Sequence, residues 1–81
     1  MDVIKPDRVL DCKGLNCPIP ILRIAAAIRQ MAPGQVLQMD ATDPASVPDM
    51  AAWSRRTRHA VVGQIETGGV YSFLVRKAEP V

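Results

Sequence analysis

The stretch Leu10–Leu22, LDCKGLNCPIPIL, contains both cysteines of the chain and the boundary between a strand and a helix. Residues 8–12, RVLDC, overlap the start of this stretch and predict a short first strand, which a turn at Gly14 ends. Pro18 suits the first position of a helix, because its missing N–H would be unpaired there anyway. The stretch therefore predicts strand, turn and helix, with Cys17 at the N-cap or beside it.

The predicted first helix starts at Pro18 and stops at Pro33-Gly34. Its apolar residues are spaced three, four and three apart, as one helical face requires. This face consists of Ile21, Ile24, Ile28 and Met31, widened by Leu22 and Ala25.

The rest of the chain alternates between strand and helix signals. Apolar and polar residues alternate over residues 35–41, which indicates a half-buried strand. Ser46 and Asp49 resemble a capping box for a second helix from Val47 to Thr57, with Pro48 in its first turn. The inner face of that helix is predicted to hold Met50, Trp53 and Thr57. Residues 60–66 and 70–77 then predict two strands joined by a hairpin turn at Gly68-Gly69.

The order β-α-β-α-β-β predicts a two-layer α/β sandwich. Two helical crossovers imply partly parallel pairing, and the terminal hairpin adds antiparallel pairing. We therefore expect two helices on one face of a four-stranded mixed sheet. The 81 residues predict one domain over 1–81.

The composition excludes several functional classes. Hydrophobic residues make up 48% of the chain and aromatic residues 4%, which predicts an aliphatic core. A net charge of +2 is too small for a dedicated nucleic-acid coat. No apolar run approaches the length of a membrane span, and the polar N-terminus shows no secretory signal. We therefore expect a cytoplasmic protein with free thiols and no membrane association.

Cys17 is the candidate reactive residue. Partial positive charge at a helix N-terminus favours thiolate, while Pro18 and Pro20 remove two of the N–H donors there. The sequence thus predicts a modestly lowered thiol pKa. The same prolines fix the backbone at two positions of the first turn, so that the sulfur is held in one exposed place.

The position of a resolving thiol is occupied by Pro20. In a Cys-x-x-Cys motif a second thiol would lie there and close a disulfide. A single activated thiol instead suits a carrier that accepts a sulfur atom, holds it as a persulfide and passes it on. The alternative is that Cys17 is an ordinary small residue at a helix start.

The stretch LDCKGLNCPIPIL resembles the signature of the TusA/SirA-like sulfur-carrier family, Leu-Asp-x-x-Gly-x-x-Cys-Pro-x-Pro followed by an apolar helix. APGQVL, ATDPAS and the terminal LVRK resemble later landmarks of that family, so the resemblance runs from about Val9 to Lys77. It implies the same α/β sandwich, with Cys17 as the sulfur-carrying residue. The predicted helix-cap and positioning residues around Cys17 are Gly14, Asn16, Pro18 and Pro20. The resemblance implies no cofactor beyond the covalent sulfur.

The resemblance also implies protein partners. Donors would be rhodanese-like sulfurtransferases or cysteine desulfurases. Acceptors would be DsrE-like proteins or heterodisulfide-reductase-like systems. Members that act in tRNA thiolation carry a small non-cysteine residue in place of Cys12, whereas other branches carry cysteine. Dissimilatory sulfur oxidation and tRNA 2-thiouridine synthesis therefore both remain open.

Cys12, His59 and Asp11 are three further residues to which the sequence assigns a role. Cys12 is either a buried structural cysteine, which we favour, or a second thiol that discharges the persulfide. With one histidine and two cysteines, a closed zinc site is not expected. His59 fits a helix-terminal cation better than a base. Asp11 is expected to fix the loop before Cys17 by accepting backbone hydrogen bonds.

Basic residues offer a candidate docking surface. Complementary charge would speed encounter with an acidic partner protein. An alternative function is a regulatory or nucleic-acid-binding module that uses Arg55, Arg56 and Arg58, although stable nucleic-acid binding is not expected because stacking aromatics are few. A monomer suffices for a carrier. The candidate docking residues are Lys13, Arg23, Arg55 and Arg56, with Arg29 and Arg58 beside them.

Overall fold

The computed structural model describes residues 5–79, which form four strands and two helices in the predicted order. The element bounds agree with the sequence prediction to within a few residues, except at the end of the first helix. The elements are β1 Arg8–Cys12, α1 Ile19–Ile28, β2 Val36–Ala41, α2 Ser46–Thr57, β3 Ala60–Thr67 and β4 Val70–Arg76.

The four strands form one mixed sheet in the order β1-β2-β4-β3. β1 pairs with β2 in parallel, and β4 lies antiparallel between β2 and β3. The crossover through α2 places β3 at the sheet edge opposite β1. The hairpin after β3 then places β4 between β2 and β3. Both glycines of the hairpin, Gly68 and Gly69, have positive φ, as the predicted two-residue turn requires.

The core lies between the sheet and the two helices. Alternate residues of β2 and β4 face each other across the strand pair, Leu37 opposite Val75 and Met39 opposite Phe73. These four side chains are completely buried. They share one cluster with helix residues Ile24, Ile28, Met50 and Trp53. Both helices therefore cover the same sheet face, which confirms the predicted fold class.

α1 is shorter than its predicted span and its inner face is narrower. The helix ends at Ile28, and Met31 is buried in the turn that follows it. Leu22, predicted to widen the inner face, is 59% exposed. Pro20 and Ala27 are buried in its stead. Lys77 donates through Nζ to the carbonyl oxygens of Arg29 and Met31, so the chain after β4 satisfies the end of α1.

The predicted capping box of α2 is wrong. Ser46 is already helical, and its hydroxyl donates to the carbonyl of Asp43 over 2.7 Å. Asp43 supplies the missing acceptor, because its Oδ1 receives the N–H of Ala45 over 3.0 Å. Met50 and Trp53 are buried as predicted, whereas Thr57 is only half-buried.

The His59 side chain packs in the fold as a neutral ring, so the prediction of a helix-terminal cation at this position is wrong. Its Nδ1 accepts the N–H of Ala78 over 2.9 Å, and its ring packs against Trp53 at a centroid distance of 5.4 Å. Burial, with a smaller contribution from the Lys77 charge, lowers the pKa of His59 from its usual 6.5. The folded state therefore favours the uncharged ring.

Replacement of a core leucine should cost far more than replacement of an exposed one. Leu37→Ala removes a completely buried side chain from β2, the strand between β1 and β4. We therefore expect a loss of about 2–5 kcal/mol in the free energy of unfolding. Leu22→Ala is the matched control, because Leu22 lies on the solvent side of α1. Urea unfolding followed by circular dichroism measures both variants. Equal losses would contradict the assigned core.

Stability should fall as the pH is lowered through 6.5. Because the folded-state pKa of His59 lies below the unfolded value of 6.5, the unfolded chain binds the proton first. His59 is the only histidine of the 81 residues, so it dominates titration between pH 7 and 5.5. Urea unfolding over this range should show the decline in the wild type and a flatter profile in His59→Gln. A flat wild-type profile would refute the neutral-ring assignment.

Candidate functional site

Cys17 lies in the loop before α1, one residue ahead of the N-cap Pro18. The side chain is an exposed free thiol. The Cys17–Pro18 peptide bond is cis. Asn16 accepts the N–H of Ile19 at its carbonyl oxygen over 2.9 Å, and Pro20 is buried against the core. The predicted place of the thiol, beside the helix cap and open to solvent, is confirmed.

The loop between β1 and Cys17 is shaped by short polar contacts. Asp11 accepts the N–H of Lys13 over 3.0 Å, as predicted, and also pairs with its ammonium group over 3.8 Å. Gly14 has a φ of 80°, a conformation that a residue with a Cβ rarely adopts. Its N–H donates to Oγ1 of Thr42 over 2.9 Å. Lys13 is thus an exposed residue held beside the loop.

Asp43 fixes the backbone at Cys17 itself. Its Oδ2 accepts the N–H of Cys17 over 2.8 Å, while its Oδ1 receives the N–H of Ala45. These two hydrogen bonds, the one from Cys17 first, lower the pKa of the Asp43 carboxyl group. One carboxylate therefore joins the loop after β1 to the loop after β2.

Sequence reasoning missed Asp43, although a signal was available. β1 and β2 were predicted on either side of a helical crossover, and such strands run parallel. The carboxyl ends of parallel strands meet at one edge of the sheet, where α/β proteins commonly bind ligands. Polar residues in ATDPAS, directly after β2, were therefore candidates for contact with the Cys17 loop.

Asp49, also missed, reverses the predicted pKa shift of Cys17. The thiol pKa is raised from 9.0, first because the Asp49 carboxylate favours the protonated thiol and then by desolvation and the charge of Asp43. The predicted lowering was therefore wrong. The positive end of α1 is weakened by its prolines, whereas two carboxylates lie beside the sulfur.

Cys17 opens onto two adjoining surface depressions between α1 and α2. Both include Ile21 and Asp49. The first is lined by Cys17, Pro20, Ile21, Asp43, Ser46 and Asp49. The second, which we call the Arg56 groove, is lined by Cys17, Pro18, Ile21, Asp49, Ala52 and Arg56. Arg56 is therefore the predicted docking residue that the fold brings to the thiol.

The other predicted docking residues, Lys13, Arg23 and Arg55, do not line the Arg56 groove. Arg23 lines a separate groove with Arg8 and Gln30, next to β1. Arg23 lies two positions after Ile21, which places the two residues on opposite sides of α1. Arg55 is exposed in the last turn of α2, and Arg58 forms its C-cap with a φ of 69°. Of Arg55, Arg56 and Arg58, the arginines of the nucleic-acid-binding alternative, Arg56 lines the groove at the thiol.

Cys12 is completely buried at the end of β1, as the favoured interpretation predicted. Burial raises the pKa of its thiol, against a smaller opposing effect of Arg23. Both cysteines are free thiols. A role of Cys12 in discharging a persulfide would require it to leave the core.

Within residues 5–79, no three His, Cys, Asp or Glu side chains come together in a group that could bind a metal ion. Neither helix in the described part of the chain has the length and apolarity needed to cross a bilayer.

Comparison with known proteins identifies the family. A family model described as sulfurtransferase TusA matches residues 8–77. The sulfur carrier protein TusA of Allochromatium vinosum is 44% identical over 72 residues, which cover 89% of this chain and 95% of the relative. The putative sulfur carrier protein YrkI of Bacillus subtilis is 39% identical, with coverages of 91% and 99%.

A solved structure supports the fold. The SirA-like protein from Desulfitobacterium hafniense superposes with a TM-score of 0.78 at 20% identity, covering 89% of this chain and 99% of the other. The resemblance first seen around the Cys-Pro-x-Pro motif thus extends over nearly the whole chain. The chain belongs to the TusA family of sulfur carrier proteins.

Proposed function

We propose that Cys17 carries sulfane sulfur as a persulfide and passes the outer sulfur atom to a cysteine of an acceptor protein. The observation that carries this proposal is the exposed free thiol of Cys17 on a backbone fixed by Asp43. Membership of the sulfur carrier family supports it. The sulfur is bound covalently, so this chemistry needs no cofactor.

The transfer consists of two exchanges at sulfur. In loading, the Cys17 thiolate attacks the outer sulfur of a donor persulfide, R–S–SH. The donor S–S bond breaks, the donor thiolate leaves with the electron pair and takes up the proton that Cys17 lost. In unloading, an acceptor thiolate attacks the outer sulfur of Cys17–S–SH, and Cys17 leaves as thiolate and is reprotonated. Neither exchange consumes an external oxidant or reductant.

Protein partners would meet the carrier at the end that bears Cys17. In the first turn of α1, directly after the Cys17 loop, Ile19 is 40% and Leu22 59% exposed. The exposed Ile19 and Leu22 side chains together with the Arg56 cation suit a transient contact with a partner whose own reactive sulfur is anionic. Rhodanese-like proteins or cysteine desulfurases are the proposed donors. DsrE-like proteins or heterodisulfide-reductase-like systems are the proposed acceptors, in sulfur oxidation or tRNA thiolation.

A reducing compartment would keep both thiols free, so we propose the cytoplasm as the place of this exchange. A single chain presents the exposed thiol and its surroundings. The carrier is therefore proposed to act as a monomer.

Incubation with a sulfur-loaded rhodanese should add the mass of one sulfur atom to the wild-type chain. Dithiothreitol should remove this addition, and peptide mass spectrometry should place it on Cys17. Cys17→Ser should show no addition. Cys12→Ala, the matched cysteine control, should keep it. An unmodified wild type, or an equal addition on Cys17→Ser, would refute the proposal.

Arg56→Gln should slow loading from the rhodanese by roughly two- to fivefold at low salt, as expected for one exposed cation facing an anionic sulfur. The difference from the wild type should shrink as salt is added. Arg55→Gln is the matched control, since Arg55 is exposed on α2 outside the groove residues. Equal slowing in both variants would show that only general charge matters.

A further inference from the structure

We propose that Asp49 is a positioning residue that accepts the thiol proton of Cys17 in a hydrogen bond and keeps the empty carrier in a slowly reacting form. This inference rests on the proposed function, in which Cys17 carries the sulfur. Nothing in the family comparison assigns a role to Asp49. Its consequence is that a free carrier resists unspecific sulfur capture and oxidation.

The first observation is a buried acceptor without a donor. Asp49 lies in the first turn of α2 and contributes to both depressions at Cys17. Its Oδ2 is buried, and no residue in the described part of the chain donates a hydrogen bond to it. An ionised carboxylate oxygen out of reach of water normally receives a donor.

The second observation is that the other nearby donors are used elsewhere or lie apart. Ser46 donates its hydroxyl proton to the carbonyl of Asp43. Within residues 5–79, no ion pair joins Arg56 to Asp49. The thiol of Cys17 lines the same depressions and carries a proton available for donation. The geometry thus pairs Asp49 with Cys17.

The charges around the thiol support the pairing. Asp43 faces it from the loop after β2, and α2 contributes Asp49 and Arg56. From α1 the lining residues are uncharged. Asp49 is the largest cause of the raised pKa of Cys17, as a carboxylate that accepts the thiol proton and carries a negative charge would be. Both carboxylates therefore favour the protonated thiol.

A raised thiol pKa slows loading because only the thiolate attacks. Each unit by which the thiol pKa rises lowers the thiolate fraction tenfold at neutral pH. The more basic thiolate is also a better nucleophile, which compensates for part of this loss in rate. The net effect is about a three- to fourfold slower reaction per pKa unit. After unloading, the same carboxylate favours reprotonation of the departing Cys17 thiolate, which restores the hydrogen-bonded resting state.

Alkylation of Cys17 by iodoacetamide as a function of pH tests the role of Asp49 without any sulfur transfer. In Asp49→Asn the midpoint of the rate profile should move to lower pH, and the rate at pH 7 should rise about three- to fourfold per unit of that shift. Glu66→Gln is the matched control, because it removes one exposed carboxylate from β3 and should leave the midpoint unchanged. Peptide mapping separates Cys17 from the buried Cys12.

An unchanged midpoint in folded Asp49→Asn would overturn the inference, even if the persulfide still forms. Conversely, a shifted midpoint without any persulfide would support the Asp49 role and refute the proposed function. If Asp49→Asn does not fold, the wild type provides the test. The ¹³C resonance of the Asp49 carboxyl group must then move at the pH where Cys17 loses its proton, and a resonance that does not respond would overturn the inference.

Discussion

The parallel pairing of β1 with β2 is the constraint on which the site depends. Because the two strands run in the same direction, the loops that follow them leave the sheet at one edge. Asp43 in the second loop can therefore accept the backbone N–H of Cys17 in the first. Without that pairing, the prolines would hold the helix start, but no carboxylate would hold the thiol relative to α2.

Two opposing electrostatic effects decide whether the Cys17 thiol is protonated. A helix N-terminus favours thiolate through its unpaired N–H groups, but in α1 two prolines supply none. Asp43 and Asp49 act at close range and favour the protonated form. The two carboxylates have the larger effect on the thiol pKa, because the prolines at the start of α1 leave few N–H donors to stabilise a thiolate. A carrier with such a thiol is expected to depend on its partners for rapid loading.

Local patterns predicted most of the fold because period and turn chemistry are properties of short segments. The alternation over β2, the Gly68-Gly69 turn and the spacing in α1 each contain their own signal. Errors arose where a distant contact overrides that signal. Leu22 is exposed because α2 does not cover its side of α1, and Ser46 turns to Asp43 rather than capping its own helix.

The sequence by itself determined the element order, the two-layer sandwich and the choice of Cys17 as the candidate reactive residue, because the Cys-Pro-x-Pro motif at a helix start consists of a few adjacent residues. Only the tertiary structure decided which residues surround the sulfur. Asp43 and Asp49 lie 26 and 32 positions away in the chain, and Arg56 rather than Arg23 shares its groove. Electrostatic shifts fall off with distance in space, so the direction of the Cys17 pKa shift required the packed arrangement of α1 and α2.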